Sequence, residues 1–195
     1  MVRATNRIPD EGFRRLFPTL ILGLFLGLTL WLLLRYSYPT RYRDEVEKWS
    51  REYGVDRFLV YAVIRVESRF DPRACSPVGA LGLMQIMPDT GRWVASKIGI
   101  PFEESMLLDP STNIRLGVFY LRLLLDEFDG HVLAALAAYN GGMHNVKRWT
   151  SNRDYRSITP ETIPFTETRA FVARVLMAKR IYEFLYGGAL WLGHG

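Results

Sequence analysis

Cysteine and histidine are scarce in this chain of 195 residues, at one and three. Cys75 stands alone, so no intrachain disulfide can form and thiol chemistry does not mark the compartment; burial as a small hydrophobe is its simplest role. His131, His144 and His194 lack a repeat such as H-x-x-x-H, and one cysteine does not complete a zinc set. No metal and no other cofactor is expected. Charge of one sign is also thin. The net charge is +5, but residues 1–35 hold five Arg against two acids, leaving only +2 for residues 36–195. Nucleic-acid binders concentrate Lys and Arg on one face, and this chain offers no such face. An anionic wall or membrane surface remains compatible with the balance. Sustained strand-like alternation and internal repeats are missing too, so the fold is expected to be mainly α.

One long hydrophobic run is present. Residues 16–34, LFPTLILGLFLGLTLWLLL, carry no charge, and as a helix they extend about 28 Å against a hydrocarbon core of about 30 Å. A cleaved signal peptide would have a shorter apolar region ending in small residues, whereas this run ends in Arg35-Tyr36-Ser37-Tyr38-Pro39. An uncleaved signal anchor is the expectation. Arg3, Arg7, Arg14 and Arg15 on one flank are balanced by Arg35, Arg41, Arg43 and Lys48 on the other, so charge alone does not orient it.

Beyond the anchor the helix signals follow in order. Arg41 to Tyr53 is a charged segment marked by Val46 and Trp49, with Gly54 placed to end it. Asp56 can cap a helix that puts Leu59, Val60, Val63 and Ile64 on the same stripe as Glu67. Pro88 suits the first turn of a helix reaching Ile98, before Gly99. Asp109 or Ser111 caps a long apolar helix stopped by Gly130; a small helix follows to Gly141-Gly142, then a short one with Val146 and Trp149, then a closing helix from Phe165 to Tyr186. The organisation expected is a cytoplasmic flank over 1–15, the anchor over 16–34, a stalk over 35–44, one domain over 45–187 and a loose tail over 188–195.

Glu67 raises the functional question. A carboxylate on an apolar stripe, at the negative end of its helix, has its charged form disfavoured twice, so its pKa should rise. A general acid for glycoside cleavage needs that property. On the helix alone, a surface ion pair with Arg65 or Arg69 is the simpler reading. The next segment shifts the balance: Ser76-Pro77-Val78-Gly79-Ala80-Leu81-Gly82 supplies turns with little bulk, and Gln85 supplies an amide that can both donate and accept. Met84 and Met87 suit either a core or a sugar face. For Trp49, Trp93 and Trp149, core packing is the simpler reading.

Glu67-Ser68-Arg69-Phe70-Asp71-Pro72, Ser76 nine residues after Glu67, then GLMQIMP at 82–88 and AAYNGG at 137–142, together resemble the catalytic domain of bacterial lytic transglycosylases of the soluble (SLT) type, related to goose-type lysozyme. The resemblance covers roughly residues 45–187. It implies a lysozyme-like fold and cleavage of the β-1,4 bond between N-acetylmuramic acid and N-acetylglucosamine in peptidoglycan glycan strands. It also implies Glu67 as the acid/base, with Ser76, Gln85, Met87, Tyr139, Asn140 and Glu167 at the substrate. Phe171 stands where the family often has Tyr. Most glycosidases use two carboxylates, and Asp71, Asp89, Glu103 and Glu104 each read as turn, cap or surface residues; a lytic transglycosylase needs only Glu67. A muramidase of the same fold and a membrane-tethered module that binds peptidoglycan without cutting it are the alternatives.

Overall fold

The computed structural model describes residues 11–150 and 154–188, with side chains from Phe17 onward. Residues 1–10, most of the tail expected over 188–195, and His194 within it lie outside the described residues. The chain divides into two units, one ending at Pro39 and the other beginning at Thr40.

Among the described residues the first unit holds a single helix, α1, Glu11–Ser37, longer at both ends than the apolar run that nucleates it. Its stretch Phe17–Ser37 has a mean hydropathy of 2.2, with none of its apolar window buried in protein, and is long and apolar enough to cross a membrane; a signal sequence near the N-terminus would share these properties. Arg35 lies over the Trp31 ring at 4.9 Å, which places a cation and an indole together at the C-terminal end, a pairing suited to a membrane interface.

The second unit contains seven helices among the described residues: α2 Arg43–Tyr53, α3 Arg57–Glu67, α4 Pro88–Ile98, α5 Pro110–Glu127, α6 Val132–Gly141, α7 Met143–Trp149 and α8 Thr166–Tyr186. Helix α2 begins inside the span expected to be stalk. The caps follow the sequence signals. Asp56 accepts from the Phe58 N–H at 2.8 Å, and Gly54 and Gly99 end α2 and α4 in the left-handed region at φ 64° and 69°. Of the two candidates before α5, Asp109 caps it by accepting from Thr112 N–H. His131 Nδ1 accepts from Ala134 N–H at the start of α6. Short 3-10 turns at Glu104–Leu108, Tyr155–Ser157 and Pro160–Thr162 connect the helices.

Leu59, Val60, Val63 and Ile64 are buried as their spacing predicts. Helix α3 packs on α8, where Tyr61 stacks on Tyr182 with centroids 5.4 Å apart. An ion pair from Lys179 to Asp56 at 2.9 Å ties α8 to the α3 cap. Two expectations fail. Cys75 is exposed rather than buried, because on the loop between α3 and α4 it points to solvent while its neighbours Ala74 and Ser76 are half-buried. Trp93 is 43% exposed on α4, edge-on to Tyr120 of α5 at 6.3 Å, and is not part of the buried core. Trp49 is buried beside Tyr53, and Trp149 packs edge-on against Phe165 at 4.8 Å.

Candidate active site

Helix α3 delivers Glu67 as its last residue and then stops abruptly. Arg69 and Phe70 take positive φ values of 53° and 67°, an uncommon conformation for side-chain-bearing residues that the surroundings must enforce. Phe70 is fully buried near Tyr61. Ser68 Oγ donates to the Leu83 carbonyl at 2.8 Å and accepts from Phe70 N–H at 3.1 Å. The residue after the carboxylate is therefore stitched to the loop that faces it.

That loop is held from below by one buried side chain that sequence reasoning missed. Asn113 on α5 donates to the Leu81 and Leu107 carbonyls at 2.9 and 2.8 Å and accepts from Met84 N–H at 2.8 Å. Gly82, at φ 75°, fits over it only because it has no side chain. A Cβ there would stand 2.1 Å from Leu107 O and 2.4 Å from Asn113 Nδ2. Gly117 likewise leaves room for Met84, whose Sδ would lie 2.4 Å from an added Cβ. The GLMQ sequence is thus a seat: Gly82 and Met84 lock the loop onto α5, and Gln85, at φ 47°, turns back across it.

Glu67 keeps some surface open to solvent, yet its carboxyl is largely desolvated. Burial pushes its pKa up from an ordinary 4.5 to about 8; the Arg174 charge pulls it down and the Glu167 charge pushes it further up. The charges that act on this carboxyl are those of two residues on α8. Glu167 and Arg174 both belong to α8, seven residues apart and so on one face. That spacing could have flagged Arg174, which the sequence reading passed over. Gly141 sets the approach of α6 to this region: a Cβ on it would meet Thr168 Oγ1 at 2.9 Å, beside Glu167.

Tyr139 comes from α6. Its hydroxyl donates to the Met84 carbonyl at 2.7 Å, so its proton is committed to the loop and not to Glu67. The hydroxyl oxygen keeps acceptor capacity. Burial raises the Tyr139 pKa well above its usual value, and the charges of Glu67 and Tyr120 add to the effect. The ring lies parallel to Phe171, 6.3 Å between centroids, and contacts Tyr120 at 5.3 Å. Phe171 preserves the stacking surface while offering no hydroxyl. Tyr120, on the apolar helix α5, thus joins the aromatic cluster beside Glu67 and was not singled out from the sequence.

The remaining expected residues divide. Ser76 accepts from Ala80 N–H at 2.9 Å through Oγ, which leaves the hydroxyl proton available. Gln85 Nε2 donates to the Ala74 and Gly82 carbonyls at 3.1 and 2.9 Å, so the expectation that its amide presents both donor and acceptor is corrected: only the oxygen is uncommitted. Met84 is buried, whereas Met87 is 41% exposed at the start of α4. Asn140 is half-buried next to Tyr139, and Glu167 is exposed in the first turn of α8. Among the described residues no group of three or more His, Cys, Asp or Glu side chains is placed to hold a metal ion.

These elements define a lysozyme-like helical domain built around one desolvated carboxylic acid. The profile of the family "Transglycosylase SLT domain" matches residues 44–161, and the chain belongs to that family. It is 36% identical over 163 residues to the soluble lytic murein transglycosylase of Escherichia coli K12, a match covering 81% of this chain and 25% of the relative. The Salmonella typhimurium relative of the same name matches equally, at 36% identity. The chain thus spans about a quarter of the length of the curated relatives it matches. Among solved structures, the 70 kDa soluble lytic transglycosylase of Escherichia coli superposes with a TM-score of 0.74 at 34% identity, covering 84% of this chain and 27% of that one. An inactive Glu-to-Gln mutant of the lytic transglycosylase Slt from Pseudomonas aeruginosa gives 0.72 at 36% identity, with 77% and 25% covered. A complex of the 70 kDa enzyme with bulgecin A gives 0.75 at 32% identity, with 95% and 31% covered.

Proposed function

We propose that this chain is a membrane-anchored lytic transglycosylase that cleaves the β-1,4 bond between N-acetylmuramic acid and N-acetylglucosamine of peptidoglycan and leaves 1,6-anhydro-N-acetylmuramic acid ends. The observation that carries this reading is the Glu67 carboxyl, its pKa pushed to about 8 by burial. It holds a proton at neutral pH and can deliver it to the glycosidic oxygen as that bond breaks. The substrate's own acetamido oxygen steadies the anomeric carbon. The Glu67 carboxylate then takes the proton of the C6 hydroxyl, whose oxygen closes on the anomeric carbon. Glu67 ends as it began, and no water is consumed.

The alternative carboxylates support a single-acid mechanism by their commitments. Asp71 accepts from Arg73 N–H, Asp89 pairs with Arg92, and Glu103 and Glu104 are exposed on the loop before α5. In this reading the Ser76 hydroxyl, the Gln85 oxygen, the Met87 side chain, Tyr139, Asn140 and Glu167 contact the sugars around Glu67. The names of the family's relatives, which specify murein, support peptidoglycan as the substrate. Helix α1 would hold the domain at the membrane, with residues 36–195 on the wall side, where the glycan lies.

Mass spectrometry of muropeptides released by the purified protein tests the reaction. Disaccharide-peptides ending in 1,6-anhydro-N-acetylmuramic acid, lighter by one water than hydrolysis products, are expected. Reducing ends that borohydride converts to muramitol would instead make it a muramidase, and wall binding without release would make it a binding module.

A further inference from the structure

Among the described residues of the second unit, three large apolar side chains are more than half exposed: Val78, Met177 at 58% and Phe184 at 78%. Val78 tips a loop, but the other two share a helix. Met177 and Phe184 stand seven residues apart on α8, and Ala173 and Arg180, also exposed, continue the same 3–4-residue spacing. These four form one outward stripe. It lies on the side of α8 opposite Phe171, Val175, Ala178 and Tyr182, which the helix buries in the domain. A helix that only packs inward carries polar residues on its outer face; this one carries a methionine and a phenylalanine.

Charge selects among the possible occupants. Glu183, the one carboxylate on this half of α8, holds Lys179. Arg180 has no carboxylate partner among the described residues. The uncommitted charge on the stripe is thus positive and sits between two exposed apolar side chains. A second copy of the chain docked about a twofold axis would set the stripe, and its arginine, against itself. A bilayer with anionic headgroups answers both features, since it takes apolar side chains below its surface and cations at its phosphates. The linker adds a reason of reach: only residues 38–42 separate α1 from α2, so a domain tethered by an α1 lying in a membrane stays beside that membrane.

We infer that the outer stripe of α8 is a second membrane contact, with Met177 and Phe184 entering the headgroup boundary of an anionic bilayer and Arg180 on a lipid phosphate. The two apolar residues are about 10 Å apart along the helix axis, so both enter only when α8 lies along the surface. Glu167 and Arg174, on the same helix, are then held at a set height above the lipid, and the domain does not swing on its linker. The inference takes from the functional reading only that α1 lies in a membrane.

The test uses the full chain carrying Cys75→Ser, spin-labelled singly through Met177→Cys, Phe184→Cys or, as a control on α4, Ser96→Cys. The chain is placed in nanodiscs of phosphatidylcholine alone or mixed equally with phosphatidylglycerol. In the anionic discs a water-soluble nickel chelate should collide far less often with the Met177→Cys and Phe184→Cys labels than with the Ser96→Cys label. That shielding should be lost in neutral discs and at about 1 M salt, where the Debye length falls to about 3 Å. Arg180→Glu should weaken the docking equilibrium by about tenfold, and Arg180→Gln by less. Labels on α8 that stay as accessible as the control in both discs overturn the proposal. So does shielding that ignores lipid charge, salt and Arg180→Glu, and so does dipolar broadening between labels on different copies, which would give the stripe to a second copy. A chain that elutes apart from the discs loses the anchor and this contact together; one that elutes with them while both α8 labels stay accessible keeps the anchor and loses the contact.

Discussion

The Tyr139 hydroxyl donates to the carbonyl of Met84, 55 residues earlier in the chain, at 2.7 Å. This bond fixes the loop above Glu67 to α6, just as Asn113 fixes it to α5. Tyr139→Phe removes the donor and leaves the Met84 carbonyl without it. The expected cost is about 1–2 kcal/mol of stability, read by urea denaturation. The ring stack on Phe171 survives that change, so wild-type activity and stability together would show that the bond positions nothing.

Glu67→Gln keeps shape and removes the transferable proton, and turnover should fall by about 10²–10⁴-fold. Stability provides a second signature. The folded-state pKa of about 8 lies above the ordinary 4.5, so the folded protein binds this proton more tightly than the unfolded chain does. Raising the pH between those values therefore costs the wild type stability. The variant escapes that cost. Its Tm relative to wild type should climb as pH rises from 4.5 to about 8 and then level off, and a gap independent of pH would show that Glu67 is not held in its neutral form.

The two α8 charges give opposite shifts. With Glu67 as the proposed proton donor, activity should decline as pH rises through about 8. Glu167→Gln removes a neighbouring negative charge, so the alkaline limb of kcat/KM should move to lower pH. Arg174→Ala removes a positive charge, so the limb should move to higher pH. Limbs that stay in place in both variants would show that another group sets the profile.

The seat under the loop should be intolerant of change. Gly82→Ala combines a left-handed backbone with a Cβ 2.1 Å from Leu107 O, and should destabilise by at least about 2 kcal/mol. Asn113→Ala strips three backbone partners at once and should cost about 3 kcal/mol. Thermal melts measure both, and a loss under about 0.5 kcal/mol for either, the size of an ordinary surface change, would mean that the loop is held elsewhere.

The helices were legible because apolar spacing and caps agree: Asp56, Pro88, Gly99 and Asp109 stand where the helix ends are. The shift in the Glu67 pKa was legible for the same reason, since the stripe placing it among buried residues is local. What could not be read is long-range. Asn113 bonds to Met84 and Leu81, 29 and 32 residues away, and looks in sequence like any polar residue near a helix start. Arg174 reaches Glu67 only because α8 packs on α3. Cys75 and Trp93 were misjudged by how residues of their kind usually behave; their exposure depends on which face of a loop or helix the rest of the domain leaves uncovered. The spare capacity of Gln85 was misjudged because its amide is spent on carbonyls within its own loop.

The loop from Ala74 to Ile86 has consequences for the kinetics of capture. Each of its ends is tied to its middle, Ile86 by paired backbone bonds of 3.0 Å with Leu81 and Ala74 O by Gly82 N–H at 2.8 Å, and its underside is bolted to two helices. A segment so fully bonded to its own domain is not a lid that folds over an arriving strand. Glycan association should then be a single encounter step, with an observed rate that rises linearly with concentration and shows no plateau from a slow closure.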